Sequence, residues 1–252
     1  MTLAPRAPQP AAPRVLRRSA GARPGYTPAM EFVLVVERAR LFDLAFPHGF
    51  APAAADRASA SERIARIRRH GFFVERRAAE QNSSWKQIIP YVVVRRGDSI
   101  LLLERKKKQG EARLHGKLSV GVGGHINPVD DGADPAGGDV LLQGLRRELL
   151  EELDVRGRLE LHAAGFLNDD ATDVGAVHFG LVAVADARAA EVAIRETELM
   201  DGRFVPRAEL LGLHRGERDR FESWSSLLLD QLEAVLAADL PLADAFAAAP
   251  RR

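Results

Sequence analysis

The sequence predicts a mixed α/β fold. Three observations carry that expectation: β-rich runs separated by turn signals from residue 86 onward, one helix-forming stretch near the middle of the chain, and a closing apolar stripe at helical spacing. Apolar residues make up 46% of the 252, so a sizeable core can form. There is no cysteine, which excludes disulfides, thiolate nucleophiles and cysteine-bound zinc or iron–sulfur centres. The formal net charge of +1 provides no whole-protein field for nucleic acid or an anionic membrane. No apolar run approaches the roughly 18 residues that span a bilayer. A soluble, cytoplasmic protein is expected, with its chemistry resting on carboxylates, hydroxyls, histidines and basic groups.

Residues 1–29 hold six prolines and five arginines without an acid. Proline at that density blocks both helix and ladder hydrogen bonding, so a disordered tail, or a leader ahead of a start at Met30, is expected. Phe32–Val36 is a β-branched run with the signature of a buried strand. Ser59 and Glu62 have capping-box spacing ahead of Ile64 and Ile67, which predicts a basic helix from about Ser61 to His70. Residues 30–85 read as an N-terminal extension or subdomain that shows no chemistry.

Ile88–Val94 and Ile100–Glu104 flank Arg95-Arg96-Gly97-Asp98, the pattern of a hairpin with a glycine in its turn. A glycine-rich strand or bend follows at Leu118–Ile126, then a helix over about Asp139–Leu153. Strands are expected at Leu159–Leu167, at Ala176–Val184 and over Glu191–Glu196. A helix over Phe221–Ala238 carries Trp224, Leu227, Leu228, Leu232 and Leu236 at helical spacing, which reads as core. Residues 237–252 read as a C-terminal tail.

The middle helix carries the chemistry. Leu142, Leu145, Leu149 and Leu153 fall on one side of a 3.6-residue helix, and Glu148, Glu151 and Glu152 share the neighbouring arc. Three clustered glutamates near a helix C-terminus repel one another and oppose the dipole by about 0.3–1 kcal/mol each. A hard cation would reverse that sign, and magnesium takes one or two carboxylates while bridging phosphates. Gly144 lies one turn before Glu148, where it would leave backbone-sized space for a ligand. The plain alternative is a solvated acidic face partly neutralised by Arg146 and Arg147.

The string Arg147-Glu148-Leu149-Leu150-Glu151-Glu152, preceded by Gly123-Gly124-His125-Ile126, resembles the Nudix box, and the order of elements over residues 86–236 resembles the Nudix fold. The resemblance implies an α/β/α sandwich around a mixed β-sheet and a hydrolase that cleaves a diphosphate bond in a nucleoside-diphosphate-type substrate. It implies Mg2+ or Mn2+ held by Glu148, Glu151 and Glu152. Glu148 would complete the metal site or orient and deprotonate the attacking water, and Arg147 would hold the carboxylates through a charge-assisted fork. Gly123, Gly124 and His125 would meet the substrate. The implied partner is a small diphosphate molecule, with no stable nucleic-acid binding and a homodimer compatible with the extension.

Two positions depart from the family pattern. Fourteen residues separate Gly124 from Asp139, which stands where the family has its first glutamate, and this insert holds Asp130, Asp131 and Asp134. Those acids read as a polar loop or an added cation ligand. Asp154 replaces a glycine, so an aspartate would carry the left-handed turn expected there. A catalytically weak Nudix-fold binding or regulatory module is the alternative. A Nudix-fold isomerase is disfavoured, because that chemistry leans on a cysteine. Arg105-Lys106-Lys107-Lys108 could reach phosphates, although a solvated turn is the simpler reading, and Glu196 or Glu198 could add an acid from a loop.

Overall fold

A computed structural model describes residues 30–43, 46–106, 116–132, 138–195 and 197–242. The expectations for the tail 1–29, Lys107, Lys108, Asp134, Glu196 and residues 243–252 lie outside the described residues. None of the described helices is long and apolar enough to cross a membrane.

The centre is a mixed sheet whose strands read as continuous apolar runs because both faces are covered. Its main path joins β10 (Met200–Pro206), β5 (Ser99–Arg105), β4 (Trp85–Arg96), β9 (His178–Ile194), β8 (Leu153–Asn168) and β11 (Leu240–Pro241). β4 and β9 run parallel, from Gln87 opposite His178 to Arg95 opposite Asp186, and the other pairs on this path are antiparallel. Short β6 (Leu118–Ser119) and β7 (Gly121–Gly123) pair with β5 and β4.

Alternation along each strand sends side chains to two cores. Val92 and Val94 of β4, Leu101 and Leu103 of β5, and Leu181 and Ala183 of β9 face one side. There they meet Ile64 and Ile67 of α2 (Arg57–His70) and Leu141, Leu145 and Leu149 of α4 (Val140–Glu152). Tyr91, Val93, Ile100, Leu102, Val182 and Val184 face the other. Leu210 of α6 (Arg207–Gly216), Leu228 of α7 (Ser223–Leu229) and Val235 of α8 (Leu232–Leu236) cover that face. This is the α/β/α sandwich expected from the sequence.

The segment ahead of β4 extends the same sheet. β1 (Phe32–Glu37) pairs with both β4 and β3 (Phe72–Glu75), and β2 (Gly49–Pro52) pairs with β8. α1 (Arg38–Leu41) and α3 (Arg76–Glu80) follow β1 and β3 directly.

Several local expectations change. α2 starts at Arg57 because the Asp56 carboxylate accepts from the Ser59 N–H, so Ser59 lies inside the first turn rather than capping it. The hairpin turn holds: Arg96 pairs with Ser99, and Gly97 adopts a φ of 60° that a side chain would resist. No non-glycine residue among those described has positive φ, so Asp154 makes no left-handed turn. The chain instead passes from α4 into β8 through an extended Leu153, and Asp154 pairs with Ala193.

The strand expected over Glu191–Glu196 is the far end of β9, bent by register shifts opposite Arg158–Glu160 and Ala163–Gly165. β10 and α6 carried no signal strong enough to foresee. The single closing helix is two. Asp230 is drawn to Arg218, with Nη2 to Oδ2 at 2.6 Å, while the Gln231 amide donates to the Phe50 carbonyl at 3.2 Å, and the axis breaks between α7 and α8.

Candidate active site

Asp139, expected as a displaced first acid, is the N-cap of α4. Its Oδ1 accepts from the Leu141 and Leu142 N–H groups at 3.0 and 3.2 Å, and its Oδ2 accepts from Arg68 Nε at 2.6 Å. It takes no place among the helix glutamates.

Arg147 is the hub. Nη1 donates to Glu148 Oε1 at 2.8 Å and to Glu151 Oε2 at 3.2 Å, so one guanidinium tip holds two of the three expected acids. Nε and Nη2 fork onto Asp130 at 2.8 and 2.9 Å, and Nη2 also meets the His125 carbonyl and Asn127 Oδ1. These contacts raise the Arg147 pKa, the Asp130 bond foremost. Asp130 is neither a loose loop acid nor free to take a cation. It is buried, and its Oδ2 also accepts the Asn127 N–H at 2.8 Å, closing the turn that leads from the glycine strand. The spacing Asn127-Pro128-Val129-Asp130 held that signal, since a side chain three residues on can cap a turn.

Glu148 lies against the glycine strand. A Cβ on Gly124 would stand 2.3 Å from Glu148 Oε2, so only glycine lets the carboxylate sit there. Burial pushes the Glu148 carboxyl above its ordinary range, against the Arg147 charge that pulls it down. Glu151 is exposed and Glu152 half-buried. Gly144 leaves no ligand space: an added Cβ would meet Ile126 Cγ1 at 2.8 Å and Asp130 Oδ2 at 3.2 Å.

Carboxylates three and four residues apart suit a hard divalent cation in kind. Among the described residues no three acids or histidines are yet gathered as a metal cage, because Glu148 and Glu151 are both turned to Arg147.

Beside Gly123, Gly124 and His125 opens a cavity of about 630 Å³. Arg105 and Lys117 line it on the β5–β6 side; Arg105 is no solvated turn residue, since its Nε donates to Glu222 Oε1 at 2.6 Å. Tyr91, His178, Phe221 and Trp224 supply aromatic wall, so Trp224, expected as core, packs on core with one part and faces the cavity with another. Arg76 and Glu80 of α3 also line it. The Tyr91 hydroxyl bonds Ser119 Oγ and Ser225 Oγ at 2.9 and 3.0 Å, and burial pushes its pKa up to about 12.

Burial lowers His125 to about 3 and depresses His178 as well, with the Arg76 charge adding to both, so both rings are neutral near pH 7. The two rings lie 5.7 Å apart. Nothing in residues 30–85 marked Arg76 or Glu80, because it is the pairing of β3 with β1 that carries α3 to the cavity.

A family model described as NUDIX domain matches residues 86–226. The chain belongs to the Nudix family. Protein YmaB of Bacillus subtilis (strain 168) is 38% identical over 158 residues, covering 62% of this chain and 75% of YmaB. The crystal structure of Tm1382, named as a candidate Nudix hydrolase, aligns with a TM-score of 0.63 at 30% identity, covering 80% of this chain and 98% of that one. A Nudix hydrolase from Alicyclobacillus acidocaldarius aligns with a TM-score of 0.47 at 14% identity, over 62% of this chain and 97% of its own. Nudix membership makes the chain a hydrolase acting on nucleoside diphosphate derivatives in general.

Proposed function

We propose that the chain hydrolyses a diphosphate bond within a small nucleoside-diphosphate-type molecule, using Mg2+ or Mn2+ held by Glu148, Glu151 and Glu152. One observation carries the reading: Arg147 ties Glu148 and Glu151 together, and Glu148 packs behind Gly124, which lines the 630 Å³ cavity. When bound, a divalent ion neutralises the diphosphate and lowers the pKa of a bound water.

The chain's own groups do the rest. Glu148, half-buried and raised in proton affinity, orients the attacking water and accepts its proton. The water oxygen bonds to phosphorus, and the bridging oxygen leaves with the electron pair. Arg147 keeps the acid face from flying apart, and Gly123, Gly124 and His125 bring backbone close to the phosphates. Lys117 supplies positive charge at the cavity wall, while Arg105 there is paired with Glu222.

The test is turnover with a panel of nucleoside diphosphate derivatives, with and without magnesium. Glu152→Gln should abolish metal-dependent release of phosphate products while circular dichroism stays unchanged. Equal turnover by this variant removes the metal assignment. A ligand-binding module of low activity is the second reading, favoured by the long insert ahead of the helix and by Asp139, which stands in place of the first acid but caps the helix and pairs with Arg68. Metal-independent binding with no product release would establish it.

A further inference from the structure

The α3 rim comes from outside the residues matched by the family model, yet it shares a cavity with the glycine strand. Arg76 is fixed there by two acids: Nη1 donates to Glu31 Oε2 at 2.9 Å and Nε to Glu80 Oε1 at 2.9 Å. These bonds use Arg76 Nη1 and Nε and Glu80 Oε1. Both side chains line the same cavity as His178. One guanidinium between two carboxylates offers no net positive charge, so this rim does not suit a second phosphate. It offers a held donor beside a held acceptor.

The cavity is thus graded. Lys117 stands toward β5 and β6 beside the Arg105–Glu222 pair, and uncharged rings of Trp224 and His178 meet edge to face, centroids 6.5 Å apart, along the wall. The Arg76–Glu80 pair stands along the same edge of β4, toward its start, where β1 pairs with Trp85–Gln87. A phosphate, then a flat uncharged ring, then a hydrogen-bonding edge is the matching order in a ligand. We infer that Arg76 and Glu80 determine specificity by reading the donor–acceptor edge of a nucleobase whose face lies along Trp224 and His178. The inference rests on the proposed site, and assigns the segment ahead of the Nudix domain a part in choosing the substrate.

The test is binding, in the full chain, with a chelator and no metal. Trp85→Phe leaves Trp224 as the reporter among the chain's two tryptophans, since Trp85 packs away from the cavity on Phe72. Its fluorescence is followed on titration with the four common nucleoside monophosphates and with ribose 5-phosphate. The expected result is tighter binding of some bases than others and a loss of about tenfold for ribose 5-phosphate. Glu80→Gln, an exposed change that keeps the shape, should reorder the base preference by about tenfold, and Arg76→Gln should reorder it differently. Identical affinities for all four bases and the base-free sugar overturn the inference, as does an unchanged order in both variants. Base-selective binding without any hydrolysis leaves the inference standing and removes the proposed reaction. Hydrolysis without base selection does the reverse.

Discussion

Asp130 and Arg147 meet as a two-point fork, Oδ1 to Nε at 2.8 Å and Oδ2 to Nη2 at 2.9 Å, across a turn that has no counterpart in the shorter family pattern. Asp130 is buried and its partner is part-exposed, so the bond is poorly screened. Asp130→Ala should cost about 2–3 kcal/mol of stability in urea unfolding, since charged hydrogen bonds contribute at that scale. It should also lower kcat, because Arg147 would no longer be held in the orientation that gathers Glu148 and Glu151. Loss of stability with undisturbed kcat would show the fork to be scaffolding alone.

Gly124→Ala places a methyl 2.3 Å from Glu148 Oε2, and the carboxylate must move. The expected outcome is a fall in kcat of about a hundredfold, with little change in melting temperature because Glu148 can swing toward solvent. Gly144→Ala is the contrast. Helix propensity favours it by about 0.8–1 kcal/mol, but contacts of 2.8 and 3.2 Å with Ile126 and Asp130 set overpacking of roughly 1–3 kcal/mol against it. It should be destabilised, and a melting temperature above wild type would contradict this packing.

Lys86 is fully buried, its ammonium donating to Asp170 Oδ1 at 2.8 Å and the Gly175 carbonyl at 2.9 Å. Burial lowers its pKa, and Asp170 opposes that shift. Lys86→Met keeps the bulk and leaves Asp170 with Arg38 and Asn168. The orphaned carbonyl should cost about 1–3 kcal/mol. Hydrogen exchange should quicken across 169–177, the segment that carries Val174 and Val177 to the cavity wall.

Tyr91 links stability to pH. Its folded pKa, about 12, lies above the ordinary 10, so its neutral form is favoured by folding. The contribution, roughly 2–3 kcal/mol, is fully present below pH 10 and is lost as pH rises toward 12. Alkaline unfolding followed by circular dichroism should be blunted between those values in Tyr91→Phe, where Ser119 and Ser225 still meet each other at 3.3 Å. An identical pH profile in the variant would contradict the assignment.

The body of the acid helix was legible because its signals are local, leucines at helical spacing and glutamates on one arc, whereas the capping role of Asp139 and the extended exit through Leu153 were not read. The two-faced strands were legible for the same reason, since β4 and β5 are apolar at successive positions. The closing helix was misread as continuous because what breaks it is distant. Gln231 reaches Phe50, 181 residues away, and no periodicity encodes that bond.

Local patterning thus indicated the fold class and put the three glutamates on one helix arc, and the family was legible through the resemblance of Arg147–Glu152 to the Nudix box, since each depends on residues within a few turns of one another. The partner of Arg147, the filling of the space beside Gly144, the exposure of Trp224 to a cavity and the arrival of Arg76 and Glu80 at its rim were decided by tertiary structure. Each brings together groups far apart in the chain, and strand pairing and packing against the sheet choose such neighbours.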